Sequence, residues 1–105
     1  TILDPEHHRA LLTNDKVTVR HISYGPHEAS VMHDYDDCVV LWLTDGHLSF
    51  ELPDGTVEQA EGHAHEVRWV PAGRHRPHNL SDQPFTAIAV DLKQSKTPLH
   101  EAIGR

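Results

Sequence analysis

The chain has 105 residues, of which 11 are histidine, and its nine basic residues are outnumbered by 16 acidic ones. The formal net charge is −7 with histidine neutral, so the chain lacks the basic surface that nucleic-acid-binding proteins need. Its length suits one domain, since domains most often have about 100–150 residues. No apolar run reaches the roughly 20 residues that span a bilayer, so we expect neither nucleic acid nor membrane among the partners.

The cysteine content and the N-terminal sequence indicate where the protein is found. Cys38 is the single cysteine and cannot form a disulfide within the chain, so we expect a reducing, cytoplasmic environment. Residues 1–12 contain neither the basic start nor the apolar run of a secretory signal peptide, and none is expected.

The N-terminal segment is predicted to contain a short helix. Asp4 suits the N-cap, Pro5 suits the first helical position, and Glu6 interacts favourably with the positive end of the helix dipole. The helix is expected to end near Leu12. Residues 1–15 are therefore predicted to be an arm with a short helix, and residues 93–105 a polar tail with one helical turn over 99–103.

The segments between the arm and the tail have strand patterns. Residues 17–22 alternate apolar and polar side chains, and residues 29–33 suit a short strand. Residues 38–43 are a continuous apolar run, typical of a buried central strand. Further strands are predicted over residues 47–52, 56–60, 66–70 and 85–92. About eight short strands separated by glycine and proline turns predict an antiparallel sandwich or barrel.

Two stretches resemble the two sequence motifs of the cupin superfamily. Residues 25–46, GPHEASVMHDYDDCVVLWLTDG, are similar to the first, histidine-bearing motif that ends in a glycine turn. Residues 66–79, EVRWVPAGRHRPHN, are similar to the second motif, through Pro71, Gly73, His75 and Asn79. The resemblance covers residues 16–92. It implies a single all-β domain, an antiparallel jelly-roll barrel with the site in its open mouth, and a homodimer.

The resemblance also aligns metal-ligand positions. His33 and His75 match two of the four usual ligands of the family. Tyr35 stands where a second histidine is usual, and Val39 where a glutamate is usual. Two of the four usual ligands are therefore replaced, which leaves two histidines as the basis of a site.

We take His33, Tyr35 and His75 as the candidate catalytic residues. Two histidines that point into a barrel can bind a metal ion or transfer protons. Tyr35 can ligate a metal as a phenolate, or act as a general acid or hydrogen-bond donor as a neutral phenol. The alternatives are a hydrogen-bonded core histidine for His33, a histidine that caps the turn for His75, and an aromatic side chain at the barrel rim for Tyr35.

Four further residues extend the candidate site. If strand alternation continues from His33, Asp37 and Val39 share its face, where Asp37 would be a third metal ligand and Val39 an apolar wall. Trp69 is expected to line the cavity, and Arg74 to receive a substrate carboxylate. A solvated turn and a solvated rim are the alternatives for Asp37 and Arg74. Cys38 is interpreted as a small buried hydrophobic residue, and the other nine histidines, among them His7 and His8, as surface or turn residues.

Three functions are compatible with this pattern. The first is an acid/base lyase, dehydratase or isomerase that uses His33 and His75 on a small polar organic molecule. The second is a metal-dependent, dioxygenase-type enzyme, with Tyr35 or Asp37 completing a site for one divalent ion (iron, zinc, nickel or manganese). The third is a binding or sensor domain without catalysis. The first and the third function need no metal.

Overall fold

The structure is a computed structural model that describes residues 6–93. These residues form nine strands: β1 His8–Thr13, β2 Val17–Tyr24, β3 His33–Tyr35, β4 Cys38–Trp42, β5 Gly46–Glu51, β6 Val57–Gly62, β7 Val67–Val70, β8 Gly73–Asn79 and β9 Phe85–Leu92. Within the described range, no helix has the length and apolar character needed to cross a bilayer.

The strands form two sheets that enclose the core. One sheet has the order β1-β2-β9-β4-β7 and the other the order β3-β8-β5-β6, and the paired strands are antiparallel. This confirms the predicted all-β jelly-roll barrel. The apolar run at residues 38–43 forms β4, which lies between β9 and β7 as a central strand requires.

The predicted N-terminal helix is wrong for the part that the structure describes. Glu6 and His7 lie in a turn, and the next residues form β1, which pairs with β2 from His8↔Ile22 to Thr13↔Thr18. The edge of β2 offers backbone donors and acceptors for a ladder, and pairing with it buries His8. The free energy gained from this strand pairing and burial outweighs the local preference of the sequence for the start of a helix. Residues 4 and 5 of the predicted helix, like the predicted turn at 99–103, lie outside the described residues.

Two further elements differ from the sequence pattern. The short strand near the first motif lies at β3, a few residues later than predicted, and Ala29 makes only an isolated bridge to His78. The segment after Pro71 forms β8, a strand that was not among the predicted ones. Its residues, GRHRPHN, give no apolar alternation, because glycine, histidine, proline and asparagine occupy its inward positions.

The core is made by aromatic and small side chains from both sheets. Trp42 packs edge-to-face on Phe85 with ring centroids 5.0 Å apart. A Cβ atom at Gly46 would lie 2.5 Å from the Phe85 ring, so only glycine fits at the start of β5. The fully buried side-chain amide of Asn79 donates to the carbonyl oxygens of Gly25 and Gln83, which fixes the loop before β9.

Candidate functional site

A cavity of about 590 Å³ lies inside the barrel and is lined by residues of both sheets. This volume falls in the range of about 300–1,000 Å³ typical of small-molecule sites. Much of its wall is apolar, from side chains such as Ile22, Val40, Trp42, Leu48, Phe50 and Phe85. The polar lining includes His8, Arg20, His33, Tyr35, Glu58 and His75.

The pairing of β3 with β8 brings the predicted catalytic residues together. His33 is the cross-strand partner of His75, and Tyr35 is the partner of Gly73. The imidazole centroids of the two histidines are 5.4 Å apart, with the rings edge to face. The Tyr35 ring stacks on His75 at 4.0 Å and the Phe50 ring stacks on it at 4.9 Å. Two rings stacked on one imidazole must use its opposite faces, so His75 is held between two aromatic rings.

This environment keeps His75 neutral. Burial, with smaller contributions from the neighbouring His33 and Arg20, lowers the pKa of His75 to about 4. At neutral pH the His75 ring therefore acts as a hydrogen-bonding group and not as a cation.

The hydrogen bonds of His33 define its tautomer. Nδ1 of His33 lies 2.9 Å from the carbonyl oxygen of Val31 and 3.3 Å from Oγ of Ser30. Because a carbonyl oxygen only accepts, Nδ1 carries the proton when the ring is neutral. Nε2 of this buried histidine then has the free lone pair that a general base needs.

Tyr35 is held by close packing on the strand opposite. A Cβ atom at Gly73 would lie 2.9 Å from the Tyr35 hydroxyl oxygen, so the absence of a side chain there makes room for the phenol. Burial raises the pKa of Tyr35, and the charges of Cys38 and Glu58 raise it further. The side chain is thus a neutral phenol, which donates a hydrogen bond, and not a phenolate.

Three residues at the site were missed by the sequence analysis: His8, Arg20 and Tyr24. The ring of His8 reaches from β1 to within 5.4 Å of the His33 ring, centroid to centroid. Nη1 of Arg20 lies 2.5 Å from Nδ1 of His8, and Nε2 of His8 lies 3.0 Å from the Tyr24 hydroxyl. A guanidinium group only donates, so Nδ1 of His8 accepts and the neutral ring carries its proton on Nε2.

A carboxylate holds Arg20 in place. Nε and Nη2 of Arg20 donate to the two carboxylate oxygens of Asp91 at 2.6 and 2.9 Å. The only signal in the sequence was the position of Arg20, two residues before Ile22 in a predicted strand, which puts the two on one face. That face is the buried one.

Three other predicted site residues, Trp69, Asp37 and Arg74, do not point into the cavity. Trp69 lies on the edge strand β7 opposite Val39, so its side chain is on the outer face of the sheet, where it is 55% exposed, and only its strand borders the cavity. Asp37 accepts a hydrogen bond from the Ala72 backbone N–H at 2.7 Å and fixes that loop. Arg74 pairs with Asp34 at 3.0 Å, and both side chains are exposed.

Val39 lies on the outer face of its sheet. Its neighbours Cys38 and Val40 line the cavity, and side chains alternate along a strand. The alternation from His33 does not continue because residues 36 and 37 connect strands of two different sheets. Of the seven residues proposed for the site, His33, Tyr35 and His75 thus line the cavity, and Trp69 lies at its border with its side chain on the outer face.

The donor set does not fit the metal centre that the sequence resemblance implies. Within residues 6–93, no three or more His, Cys, Asp or Glu side chains are arranged to hold a metal ion. His8 supplies a third imidazole, but its two nitrogens bond to Arg20 and Tyr24. The guanidinium of Arg20 also brings a fixed positive charge beside the rings, which disfavours a cation there.

Cys38 is not a nucleophile at this site. It is 3% exposed, and burial, together with the smaller effect of the Asp91 charge, raises the pKa of its thiol to about 11. The thiolate, which is the reactive form, is therefore scarce at neutral pH. This agrees with the interpretation of Cys38 as a small buried hydrophobic residue.

No protein-family model matches the sequence, and no curated protein matches it either. Solved structures do resemble the barrel. A cupin domain from Bordetella pertussis Tohama I is 25% identical, with a TM-score of 0.76, over 83% of this chain and 92% of that one. A cupin superfamily protein from Desulfitobacterium hafniense is 20% identical, with a TM-score of 0.62, over 83% and 76% of the two chains.

A cupin family protein with a double-stranded β-helix fold, from Methanocaldococcus jannaschii, has a TM-score of 0.64 at 14% identity. The match covers 93% of this chain and 84% of that one. The barrel, the two sequence motifs and these structural relatives agree. The chain is a small member of the cupin superfamily.

Proposed function

We propose that the protein is an acid/base enzyme, of the lyase, dehydratase or isomerase type, that acts on a small organic molecule inside the barrel. The observation that carries the proposal is the His33–His75 pair, in which a hydrogen bond fixes the tautomer of His33 and burial keeps His75 neutral. Enzymes arrange the protonation of neighbouring groups in this way when one accepts a proton and another donates a hydrogen bond.

The three side chains have separate roles in this proposal. Nε2 of His33 removes a proton from a carbon next to a carbonyl group, and the electron pair of the C–H bond moves to the carbonyl oxygen. The neutral imidazole of His75 and the phenol of Tyr35 donate hydrogen bonds to that oxygen. Return of the proton to another atom, or loss of a leaving group, completes the reaction. Such positioned acid–base catalysis contributes typically about 10²–10⁴-fold.

The cavity wall narrows the class of substrate. Apolar and aromatic side chains form much of the lining, so the substrate has an apolar body in addition to the polar group that reacts. The small polar molecule expected from the sequence is replaced here by an amphipathic one.

Exchange of carbon-bound protons with D₂O tests the proposal. Phenylpyruvate and phenylacetone are suitable probes, since each has an apolar ring and an acidic C–H beside a carbonyl group. Proton NMR should show exchange catalysed by the wild-type protein, and His33→Gln should slow it by about 100-fold. His63→Gln is the matched control, because its side chain is 84% exposed, and should leave the rate unchanged. Equal rates for the wild-type and His33→Gln proteins with both probes would refute the proposal.

A binding or sensor function is the second candidate. The observation that favours it is the pKa of about 4 for His75, since a group with so low a pKa is a poor proton acceptor at neutral pH. Tight binding of a ligand without proton exchange would support this candidate over the first.

We also propose that the protein forms a homodimer through the outer face of the five-stranded sheet. A sheet face in water is normally polar, but this face is apolar, and Val67 and Trp69 on it are 63% and 55% exposed. Strands about 4.8 Å apart and roughly six residues long give it a flat area of about 500 Å². The accessible area of a corrugated face is larger and approaches the roughly 800 Å² that each partner buries in a standard interface. The apolar residues of this outer face are Leu12, Val17, Val19, Val39, Leu41, Val67, Trp69, Ile88, Val90 and Leu92.

A further inference from the structure

We infer that the cavity binds an organic anion, a carboxylate attached to an apolar body, and that Arg20 receives the carboxylate. The inference rests on the proposed function to the extent that both concern one cavity and one ligand. It names the chemical class of that ligand and a residue that nothing in the sequence motifs assigns to the site.

The geometry of the Arg20–Asp91 pair carries the inference. Both side chains are largely buried, at 13% and 15% exposure. Arg20 lines the cavity, whereas Asp91, on the same inner face of the sheet and next to Cys38, is not part of the lining. The ion pair therefore presents its positive end to the cavity, and the carboxylate of Asp91 fixes the guanidinium in that direction.

Arg20 also has hydrogen-bonding capacity left. A guanidinium group has five N–H donors, and hydrogen bonds within residues 6–93 use three of them, two to Asp91 and one to His8. Among the residues that the structure describes, one N–H on each terminal nitrogen therefore has no acceptor and can donate to a ligand. Two such donors can hydrogen-bond to the two oxygens of one carboxylate, which is the bidentate arrangement common between arginine and carboxylates.

The positions of the other charged side chains of the lining also favour binding of the anion at the Arg20 end of the cavity. In the described barrel these are Arg68 and Glu58. Arg68 lies in the same row of the sheet as Arg20, three strand spacings or about 14 Å away. Its guanidinium is bound to the Glu66 carboxylate at 2.8 Å and lies over the Trp42 ring. Glu58 repels an anion from its own part of the wall.

The neutral groups near Arg20 do not oppose an anion. His8 accepts from Arg20 through Nδ1, so the neutral ring turns its proton toward Tyr24. His75 is neutral at neutral pH because burial lowers its pKa to about 4. Between these groups and the apolar wall there is space for a ligand with one charged end and one hydrophobic end.

Binding measurements with a matched pair of ligands test the inference. We would titrate the protein at pH 7.5 with 3-phenylpropionate and with its neutral amide, 3-phenylpropanamide, by calorimetry. The carboxylate should bind at least tenfold more tightly than the amide. Arg20→Met combined with Asp91→Asn, which leaves no unpaired buried charge, should remove this preference. Arg74→Met, an exposed arginine outside the lining, is the control and should keep it.

Three results of these titrations would overturn the inference. They are equal affinity of the wild-type protein for the two ligands, a preference that survives in the Arg20→Met/Asp91→Asn protein, and a preference lost in Arg68→Met instead. A readout that needs no variant is the NMR signal of the Arg20 Nε–H group. It should shift with the carboxylate and not with the amide, and an unchanged signal is a fourth contradicting result.

The outcomes separate this inference from the proposed function. A protein that prefers the carboxylate but does not exchange the probe protons refutes acid/base catalysis alone. A protein that exchanges the protons of phenylacetone but binds the carboxylate and the amide equally refutes the anion site alone.

Discussion

The His75 ring makes the stability of the protein depend on pH in a way that one substitution can isolate. The side chain is held between the Tyr35 and Phe50 rings, and burial lowers its pKa from the ordinary 6.5 to about 4. His75→Phe keeps an aromatic ring between the same two neighbours and removes the titrating group. Comparison of the two proteins cancels the contributions of the other histidines.

The sign and size of the effect follow from proton linkage. As pH falls below 6.5, the unfolded chain takes up a proton at position 75, whereas the folded protein takes it up only near pH 4. Stability contributed by neutral His75 is therefore complete above pH 6.5 and is lost as pH falls to 4. Between pH 7 and pH 5 the two pKa values give a loss of about 2 kcal/mol. The partial exposure of the ring to water reduces the expected loss to about 1 kcal/mol.

Urea unfolding at pH 7, 6 and 5 provides the measurement. The free energy of unfolding of the wild-type protein should fall by about 1 kcal/mol more than that of His75→Phe between pH 7 and pH 5. Circular dichroism at pH 7 checks that the variant keeps the β-barrel. If the two proteins lose stability in parallel, His75 titrates with an ordinary pKa, and the burial argument for its neutral state is wrong.

Three shorter predictions concern other parts of the barrel. The thiol of Cys38 should react with a disulfide reagent at pH 8 about 100-fold more slowly in the folded protein than in urea, because its pKa is raised to about 11, and equal rates would show an accessible thiol. Gly73→Ala should cost about 1–2 kcal/mol of unfolding free energy, and Tyr35→Phe should recover part of it, since the new Cβ meets the hydroxyl group. Additive effects of the two substitutions would contradict that contact. Val67→Lys should convert a dimer to a monomer in sedimentation, while Val57→Lys, similarly exposed on the other sheet, should not. A wild-type protein that sediments as a monomer would refute the proposed dimer.

The strands that sequence reasoning finds are those whose local pattern and long-range pairing agree. Residues 38–43 are apolar throughout, and β4 is covered on both edges by hydrogen-bonded neighbours. The turn at Pro53, Asp54 and Gly55 joins β5 to β6 as an alternating hairpin, and Gly55 has the positive φ of 89° that such turns use. The local sequence pattern is sufficient to predict an element when, as in these strands, it favours the same structure as the long-range pairing.

The elements that it misses are determined by partners far away in the chain. Residues of β1 carry a helix-start signal, but their pairing with β2 and the burial of His8 decide the structure. The site could be predicted only in part for the same reason. The two motifs indicated His33 and His75, whereas His8 and Arg20 reach them through a strand pairing that no motif encodes.

The pattern of β2 shows why the inside of the five-stranded sheet is hard to recognise from the sequence. Val17 and Val19 are the apolar residues of the alternation, yet they lie on the outer face, while Arg20 lies on the inner face. An exposed apolar face and a buried charge are each unfavourable alone. The fold tolerates them if a second copy covers the outer face and if Asp91 compensates Arg20. The proposed dimer interface and the proposed anion site therefore both follow from this reversed placement of apolar and charged side chains in β2. They are still separable, because Val67→Lys changes the outer face alone and should leave the carboxylate preference of the cavity intact.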